Sequence, residues 1–169
     1  QEKYLRGPMS VKAKVTNNKK KSAIAKMLNG VRHDVSLLTD RDIYLYKEGS
    51  HFRLYNKLGS HILNNNGDEG TYFAVIAPNA ERVSVIGDFN GWNKESHPLA
   101  ARWDSSGIWE GFIPDLKKGS RYKYFIVSQH NAYRVDKQDP FANYCEVPPK
   151  TASIVWDLDY SWNDEKWMK

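Results

Sequence analysis

The sequence predicts an antiparallel all-β fold, either a sandwich or a barrel. From Ile43 onwards, β-prone segments and turn clusters alternate at intervals of roughly ten residues, which is typical of such folds. Side chains within the segments also alternate in character, as where Lys123 stands between Tyr122 and Tyr124. No helix-length pattern separates the segments, and this argues against parallel βαβ units.

Composition limits the rest of the chain. A length of 169 residues allows one domain and a small helical appendage. The formal net charge is +5, but six lysines and no acidic residue lie between Met9 and Lys26, so the basic character belongs to a tail. We expect that tail to be a solvated lysine run rather than a nucleic-acid site.

Targeting and redox features indicate a cytoplasmic protein. Cys145 is the only cysteine, so no disulfide can form within the chain, and no Cys/His zinc spacing occurs. No apolar run approaches the roughly 18 residues that cross a membrane. No signal peptide is visible.

The N-terminal part is expected to differ from the β-rich body. Residues 1–8 end in Gly-Pro and resemble a remnant of an expression tag. Residues 9–42 are interpreted as a basic, partly helical extension whose first part is disordered. Ser22 as an N-cap and Gly30 as a stop predict a short helix over 22–29. A second helical or turn segment is predicted over 35–42.

The β-rich body is assigned to residues 43–158. Its candidate strands are Thr71–Ala77, Arg82–Ile86, Ile108–Ile113, Tyr122–Val127 and Ser153–Leu158, with a weaker one at Ala132–Val135. Residues 159–169 are interpreted as the start of a linker, because Trp162 and Trp167 at a terminus suit a partner surface. We therefore expect the natural chain to continue.

One turn carries the clearest functional signal. A short β-run stops at Gly87, and Asp88 and Asn90 then favour a turn that bears Phe89 and Trp92. A turn needs no indole to close it. Trp92 therefore either stacks on a sugar ring or covers an edge of the core.

Catalytic signatures are missing from the sequence. It contains no Gly-rich phosphate loop, no nucleophile elbow and no metal-ligand cluster. Acid pairs such as Asp157 and Asp159 occur, but nothing indicates the cleft that glycosidase carboxylates need. We expect no catalytic residue, metal or cofactor in this chain.

Several motifs, taken in their order along the chain, resemble those of a known protein family. The segment Phe73–Trp92 resembles the N-terminal carbohydrate-binding module, of the family 48 type, of 1,4-α-glucan branching enzymes. The resemblance runs from about Ile43 to Lys169. Its further motifs are Tyr44–His51, Arg53–His61, His97–Pro98, Gly107–Phe112, Gly119–Tyr124, Lys137–Ala142, Ala152–Ser153 and Trp162–Asp164. The upstream motifs point to bacterial glycogen branching enzymes.

The resemblance implies an immunoglobulin-like β-sandwich and a place in a longer enzyme. In that family the module precedes a (β/α)8 barrel of the α-amylase superfamily, which carries an Asp nucleophile and a Glu acid/base. The parent would cut an α-1,4-glucan and rejoin the piece through an α-1,6 link in glycogen biosynthesis. The fragment alone would be inactive, and its partners would be α-1,4-glucan or glycogen and its own barrel.

The resemblance also assigns candidate site residues. Trp92 matches a glucan-contacting Trp, Lys123 matches a Lys that hydrogen-bonds sugar hydroxyls, and Tyr133 falls near a second aromatic platform. Asn90 either orients a sugar hydroxyl or closes the turn. The residues expected to pack against the barrel are Asp139, Phe141, Trp162 and Trp167.

Two other functions remain open at this point. The module could be purely structural, with its aromatics facing the barrel. It could also be the front domain of a debranching or trehalose-releasing enzyme of the same superfamily.

Overall fold

The computed structural model describes residues 27–28, 30–131 and 133–159, with the backbone alone at 27–28. Among these residues, one α-helix, α1 (Asp40–Glu48), precedes most of the strands. Short 3₁₀ turns lie at Leu54–Asn56 and Asp88–Asn90. The strands are β1 (Met27–Leu28), β2 (Val31–Arg32), β3 (Gly59–Asn65), β4 (Asp68–Ile76), β5 (Ala80–Gly87), β6 (Ala100–Ala101), β7 (Ile108–Pro114), β8 (Arg121–Ser128), β9 (Arg134–Lys137), β10 (Tyr144–Cys145) and β11 (Ser153–Ile154).

The strands form two antiparallel sheets. The first has the order β1-β2-β7-β4-β3, with β6 also paired to β7. The second has the order β10-β11-β8-β5, with β9 paired to β8 beyond the part of β8 that meets β11. Within the described residues the two sheets are joined only by an isolated bridge between Ser84 of β5 and Pro98, just before β6, so the fold is a sandwich rather than a closed barrel.

The main core lies between the sheets. Phe73 of β4 packs edge-on against Tyr122 of β8, with ring centroids 5.0 Å apart, and Tyr124 lies 5.8 Å from Tyr122. Val83 and Val85 of β5 are fully buried beside them. Alternation along β5 and β8 thus directs the apolar side chains inward, as the sequence predicts.

A second apolar cluster covers the outer face of the first sheet. Ile43 of α1 is buried there with Leu58, Tyr72 and Phe112. The helix begins at a capping box in which the Thr39 side chain accepts from the Asp42 N–H and the Asp42 carboxylate accepts from the Thr39 N–H. The helix ends at Gly49 in the left-handed conformation (φ +75°).

The N-terminal prediction needs correction. The predicted helix over 22–29 is wrong at Met27 and Leu28, which form β1, and its remaining residues lie outside the described ones. Gly30 turns the chain at φ +85°, so that β1 pairs back onto β2. Arg32 of β2 then pairs with β7 of the first sheet. Sheet pairing therefore overrides the helical preference of this segment.

Three further differences concern element positions. The helix predicted over 35–42 begins at Asp40 and continues to Glu48, beyond the point where strands were expected. Strand β3 was not predicted, because Asn64 and Asn65 at its end resemble turn residues. The predicted strand Ser153–Leu158 is confined to Ser153–Ile154. In the part of the chain described, no helix is long and apolar enough to span a membrane.

Candidate functional site

The turn after β5 is built around the side chain of Asn90. Its Oδ1 accepts a hydrogen bond of 2.9 Å from the Gly87 N–H. Its Nδ2 lies 3.0 Å from the carbonyl oxygen of Val85 and 3.1 Å from Ser96 Oγ. Asn side chains close turns in this way by replacing backbone partners. Both polar atoms of this amide are engaged within the protein, which gives Asn90 a structural task.

Trp92 leaves this turn in an unusual backbone conformation. Its N–H donates to the Gly87 carbonyl oxygen at 2.8 Å, and its φ is +60°. Such a φ is rare for a bulky residue and costs about 1–3 kcal/mol. The indole is 38% exposed. The fold therefore maintains a strained backbone that leaves a large aromatic side chain in contact with solvent.

Lys123 lies on the outer face of the second sheet, because its neighbours Tyr122 and Tyr124 are fully buried. It pairs across the ladder with Ile86, next to Gly87 and the Trp92 turn. Its Nζ donates a hydrogen bond of 2.7 Å to Thr151 Oγ1. The structure thus brings Lys123 and the Trp92 turn to the same end of the β5–β8 pair.

Tyr133 lies at the other end of β8. Its carbonyl oxygen accepts from the Ser128 N–H at 2.8 Å. Ser128 is five positions from Lys123, which corresponds to about 17 Å along a strand. The Tyr133 ring is exposed, but the structure does not bring it together with Trp92 and Lys123.

Asp139 belongs to the interior of this module. Its Oδ2 accepts from the Tyr122 hydroxyl at 2.5 Å and from the Tyr124 hydroxyl at 3.2 Å, and its Oδ1 accepts from the Phe141 N–H at 2.8 Å. Burial raises the pKa of the Asp139 carboxyl, although these three hydrogen bonds favour its charged form. Asp139 therefore fixes the segment after β9 to the core.

The other residues expected at a domain interface fall into two groups. Phe141 is partly buried and packs on the cluster beneath α1. Trp162 and Trp167 lie outside the described residues. Packing of Asp139, Phe141, Trp162 and Trp167 against another domain stays a prediction.

Polar residues that the sequence did not single out connect the Trp92 turn to the sheet. Arg121 Nε donates to Asp88 Oδ2 at 3.1 Å, and an Arg121 guanidinium nitrogen lies 3.4 Å from Glu146 Oε1. Alternation along β8 puts Arg121 on the same face as Lys123. That pattern could have identified Arg121 from the sequence.

The His97 ring packs against the Trp92 turn. Its Nδ1 lies 3.1 Å from Asn90 Nδ2, and the Phe89 ring meets it edge-on at 5.1 Å between centroids. Burial lowers the pKa of His97. Neutral His97 is thus the form that the fold favours.

In the described residues, no three His, Cys, Asp or Glu side chains are grouped as metal ligands. The Trp92 turn carries an exposed indole, and the adjoining outer face of the second sheet presents ammonium and guanidinium donors and the Thr151 hydroxyl. Such a surface can stack on a flat apolar face and donate hydrogen bonds around it.

Comparisons with known proteins give matches over most of the chain. Residues 57–142 match carbohydrate-binding module 48 (isoamylase N-terminal domain). The chain is 56% identical over 134 residues to the 1,4-alpha-glucan branching enzyme GlgB of Aquifex aeolicus, covering 79% of this chain and 21% of that enzyme. It is 54% identical over 130 residues to the enzyme of the same name from Albidiferax ferrireducens, covering 77% of this chain and 20% of that enzyme.

Among solved structures, the chain is similar to ligand-free PulA from Klebsiella pneumoniae, with a TM-score of 0.49 and 24% identity over 62% of this chain and 10% of that one. The chain spans about a fifth of the length of the branching enzymes that it matches. The matched segment runs from just before β3 to just past β9, and so contains the Trp92 turn and Lys123. The chain belongs to the carbohydrate-binding module 48 family.

Proposed function

We propose that this chain is the N-terminal glucan-binding module of a bacterial glycogen branching enzyme. The support is the identity of 44–56% to proteins named 1,4-alpha-glucan branching enzyme GlgB. Such a parent cuts an α-1,4-glucan and rejoins the piece through an α-1,6 link, with retention through a glycosyl-enzyme intermediate. These relatives favour a branching enzyme over a debranching or trehalose-releasing one. A cytoplasmic location is part of the proposal.

The module itself would hold the glucan at the end of the second sheet. The observation that carries this role is the exposed Trp92 indole, held at a strained φ of +60° on the turn that follows the strand partner of the outward-facing Lys123. An indole stacks on the apolar C–H face of a pyranose ring while the sugar hydroxyls remain at its edges. The Lys123 ammonium, already bonded to Thr151, has further N–H donors to offer those hydroxyls.

The other predicted sugar contacts receive different roles. Asn90 acts by holding the turn, because its amide is already satisfied. Tyr133 lies too far along β8 to contact the same sugar ring as Trp92. Under this proposal, it meets only a different part of a long or branched glucan.

The test is a calorimetric titration of the chain with maltoheptaose. We expect weak binding that Trp92→Ala reduces by about 1–3 kcal/mol, by analogy with stacking on other flat ligands. Trp103→Ala is the matched control, because Trp103 is 85% exposed on the loop after β6, in the first sheet. Binding that survives Trp92→Ala, with circular dichroism unchanged, would contradict the role of Trp92.

A second role, bracing the barrel of the parent, is favoured by the surface on the other side of the sandwich. Phe52, in the turn after α1, is 88% exposed, and Trp103 is nearly as exposed. Exposed apolar side chains mark an interaction surface when they form one patch, and the hydrogen bond from Lys47 Nζ to the Asp104 carbonyl oxygen ties the end of α1 to the Trp103 loop. The test compares the full parent enzyme with a variant that carries Phe52→Ser and Trp103→Ser. If these side chains meet the barrel, the variant should unfold at a lower temperature than the wild type.

Catalysis would belong to the rest of the parent. We expect the chain alone to form no α-1,6 links when incubated with amylose, because its sequence carries no paired carboxylates in a cleft. A rate above that of a heat-killed control would contradict this expectation.

A further inference from the structure

An aromatic pair at the edge of the second sheet has no part in the site described above. Tyr144 of β10 and Trp156, two residues after β11, pack with ring centroids 5.2 Å apart and a tilt of 38°. Tyr144 is 50% exposed and Trp156 is 38% exposed. Two large rings thus remain in contact with solvent side by side.

The pair is fixed by its surroundings. Lys118 Nζ lies 4.2 Å from the centroid of the Trp156 ring and also donates to Asp157 Oδ1 at 2.7 Å. Asn143 Nδ2 donates to the Trp156 carbonyl oxygen at 3.2 Å. Rings that are already ordered lose little entropy when a ligand stacks on them.

The register of the sheet aligns this pair with the Trp92 turn. Tyr144 pairs with Ile154, and Ile154 pairs with Arg121 of β8. Arg121 in turn contacts Asp88 of the Trp92 turn. From β5 to β10 there are three strand spacings, or about 14 Å. The two aromatic sites therefore lie along one line across the strands.

A groove lies beside the Tyr144 ring, at the β10–β11 hairpin. It has a volume of about 390 Å³ and is lined by residues 144–150 and Ile154. Lys150, at one end of the groove, precedes Thr151, which accepts the hydrogen bond from Lys123. Glu146 adds a carboxylate to the lining. The groove thus borders the Tyr144 ring and includes the residue that precedes the Thr151–Lys123 contact, with polar groups in its lining.

We propose that Tyr144 and Trp156 form a second aromatic platform for the glucan chain that stacks on Trp92. This inference rests on the proposed function and adds to it a dependence on oligosaccharide length. A short sugar occupies one platform at a time, whereas a longer α-1,4-glucan crosses the strands and reaches both. The module would then favour long linear segments over short ones.

The test compares maltotriose and maltoheptaose on the wild type, Tyr144→Ala and Tyr144→Phe. Tyr144→Ala should weaken maltoheptaose binding about five- to tenfold, the lower range for stacking on a flat ligand. Maltotriose binding should change less than twofold. Tyr144→Phe keeps the ring and should behave as wild type, and Trp103→Ala should change neither affinity. The indole N–H resonance of Trp156, assigned with Trp156→Phe, should shift with maltoheptaose.

The outcomes separate this inference from the proposed function. If Tyr144→Ala leaves both affinities unchanged, or lowers both equally, the second platform is wrong while binding at Trp92 stands. The rings then only cover the edge strand β10. If the wild type binds neither sugar, the proposed glucan-binding role fails, and the second platform fails with it.

Discussion

The backbone N–H of Trp92 donates a 2.8 Å hydrogen bond to the carbonyl oxygen of Gly87, so an exposed indole is tied to the last residue of β5. Gly87 pairs with Tyr122, whose side chain is fully buried between the sheets. The position of the indole is therefore set by the core, through one strand end and one turn. This coupling makes the candidate binding site sensitive to residues that need not contact sugar.

Asn90→Ala should reduce both stability and sugar binding. The substitution leaves the Gly87 N–H and the Val85 carbonyl oxygen without the partners that the amide supplies. We expect a loss of about 1–3 kcal/mol in the free energy of unfolding, measured with urea. Asn93→Ala is the control in the same loop, because it removes only one exposed hydrogen bond, from the Glu95 N–H, and it should cost less than about 1 kcal/mol. Equal effects of the two substitutions would contradict the structural role of Asn90.

Trp92→Asn and Trp92→Ala should separate the backbone conformation from sugar binding. Asn tolerates a φ of +60° better than Ala does, because its short polar side chain bonds locally. Trp92→Asn should therefore be more stable than Trp92→Ala by about 1 kcal/mol. Maltoheptaose binding should fall equally in both, because both lack the indole. Identical melting of the two variants would show that the positive φ relaxes when the indole is removed.

Local sequence patterns predicted the strands of the core and the Trp92 turn. Alternation in β5 and β8 reflects burial of one face, which is a local property, whereas β4 and β7 are apolar on both faces because an apolar cluster covers each side of the first sheet. Strand β3 was missed because Asn64 and Asn65 at its end resemble turn residues, and the Tyr144–Trp156 pair was missed because it depends on strand pairing. Tyr144 meets Trp156 only because β10 pairs with β11. The distance from Lys123 to Tyr133 likewise depends on the course of the β8–β9 hairpin, which residue types alone do not give.

Stability should fall as the pH is lowered from about 7 to 5. Burial lowers the pKa of His33, His61 and His97 below the ordinary value of 6.5. The unfolded chain therefore binds protons first as the pH falls through 6.5, and the folded state is progressively disfavoured. Each histidine contributes a slope of up to about 1.4 kcal/mol per pH unit. Carboxylates with a lowered pKa, such as Asp42, lose their contribution only at more acidic pH.

Urea denaturation at several pH values measures this slope. His97→Gln should make the slope shallower, because it removes one of the three groups that resist protonation. His130→Gln is the control, since His130 is exposed near the β8–β9 hairpin. A slope that does not respond to His97→Gln would mean that His97 becomes protonated without cost to the fold.

Asp139→Asn should destabilise the module although it removes a buried charge. The carboxylate accepts hydrogen bonds from Tyr122, Tyr124 and the Phe141 N–H, whereas an amide must turn an N–H donor towards one of these three donors. We expect a loss of about 1–3 kcal/mol in the free energy of unfolding. Tyr122→Phe, which removes a bond of 2.5 Å, should cost more than Tyr124→Phe, which removes one of 3.2 Å.

The pH dependence of the Asp139→Asn effect has a defined sign. Because burial raises the pKa of Asp139 in the folded state, its stabilising contribution is complete below the unfolded pKa and is lost as the pH rises through the folded pKa. Asparagine does not titrate. The difference between wild type and Asp139→Asn should therefore be larger at the acidic end of the range in which both proteins fold than at pH 8. A difference that grows towards pH 8 would show that the hydrogen bonds from the tyrosines outweigh burial and lower the pKa.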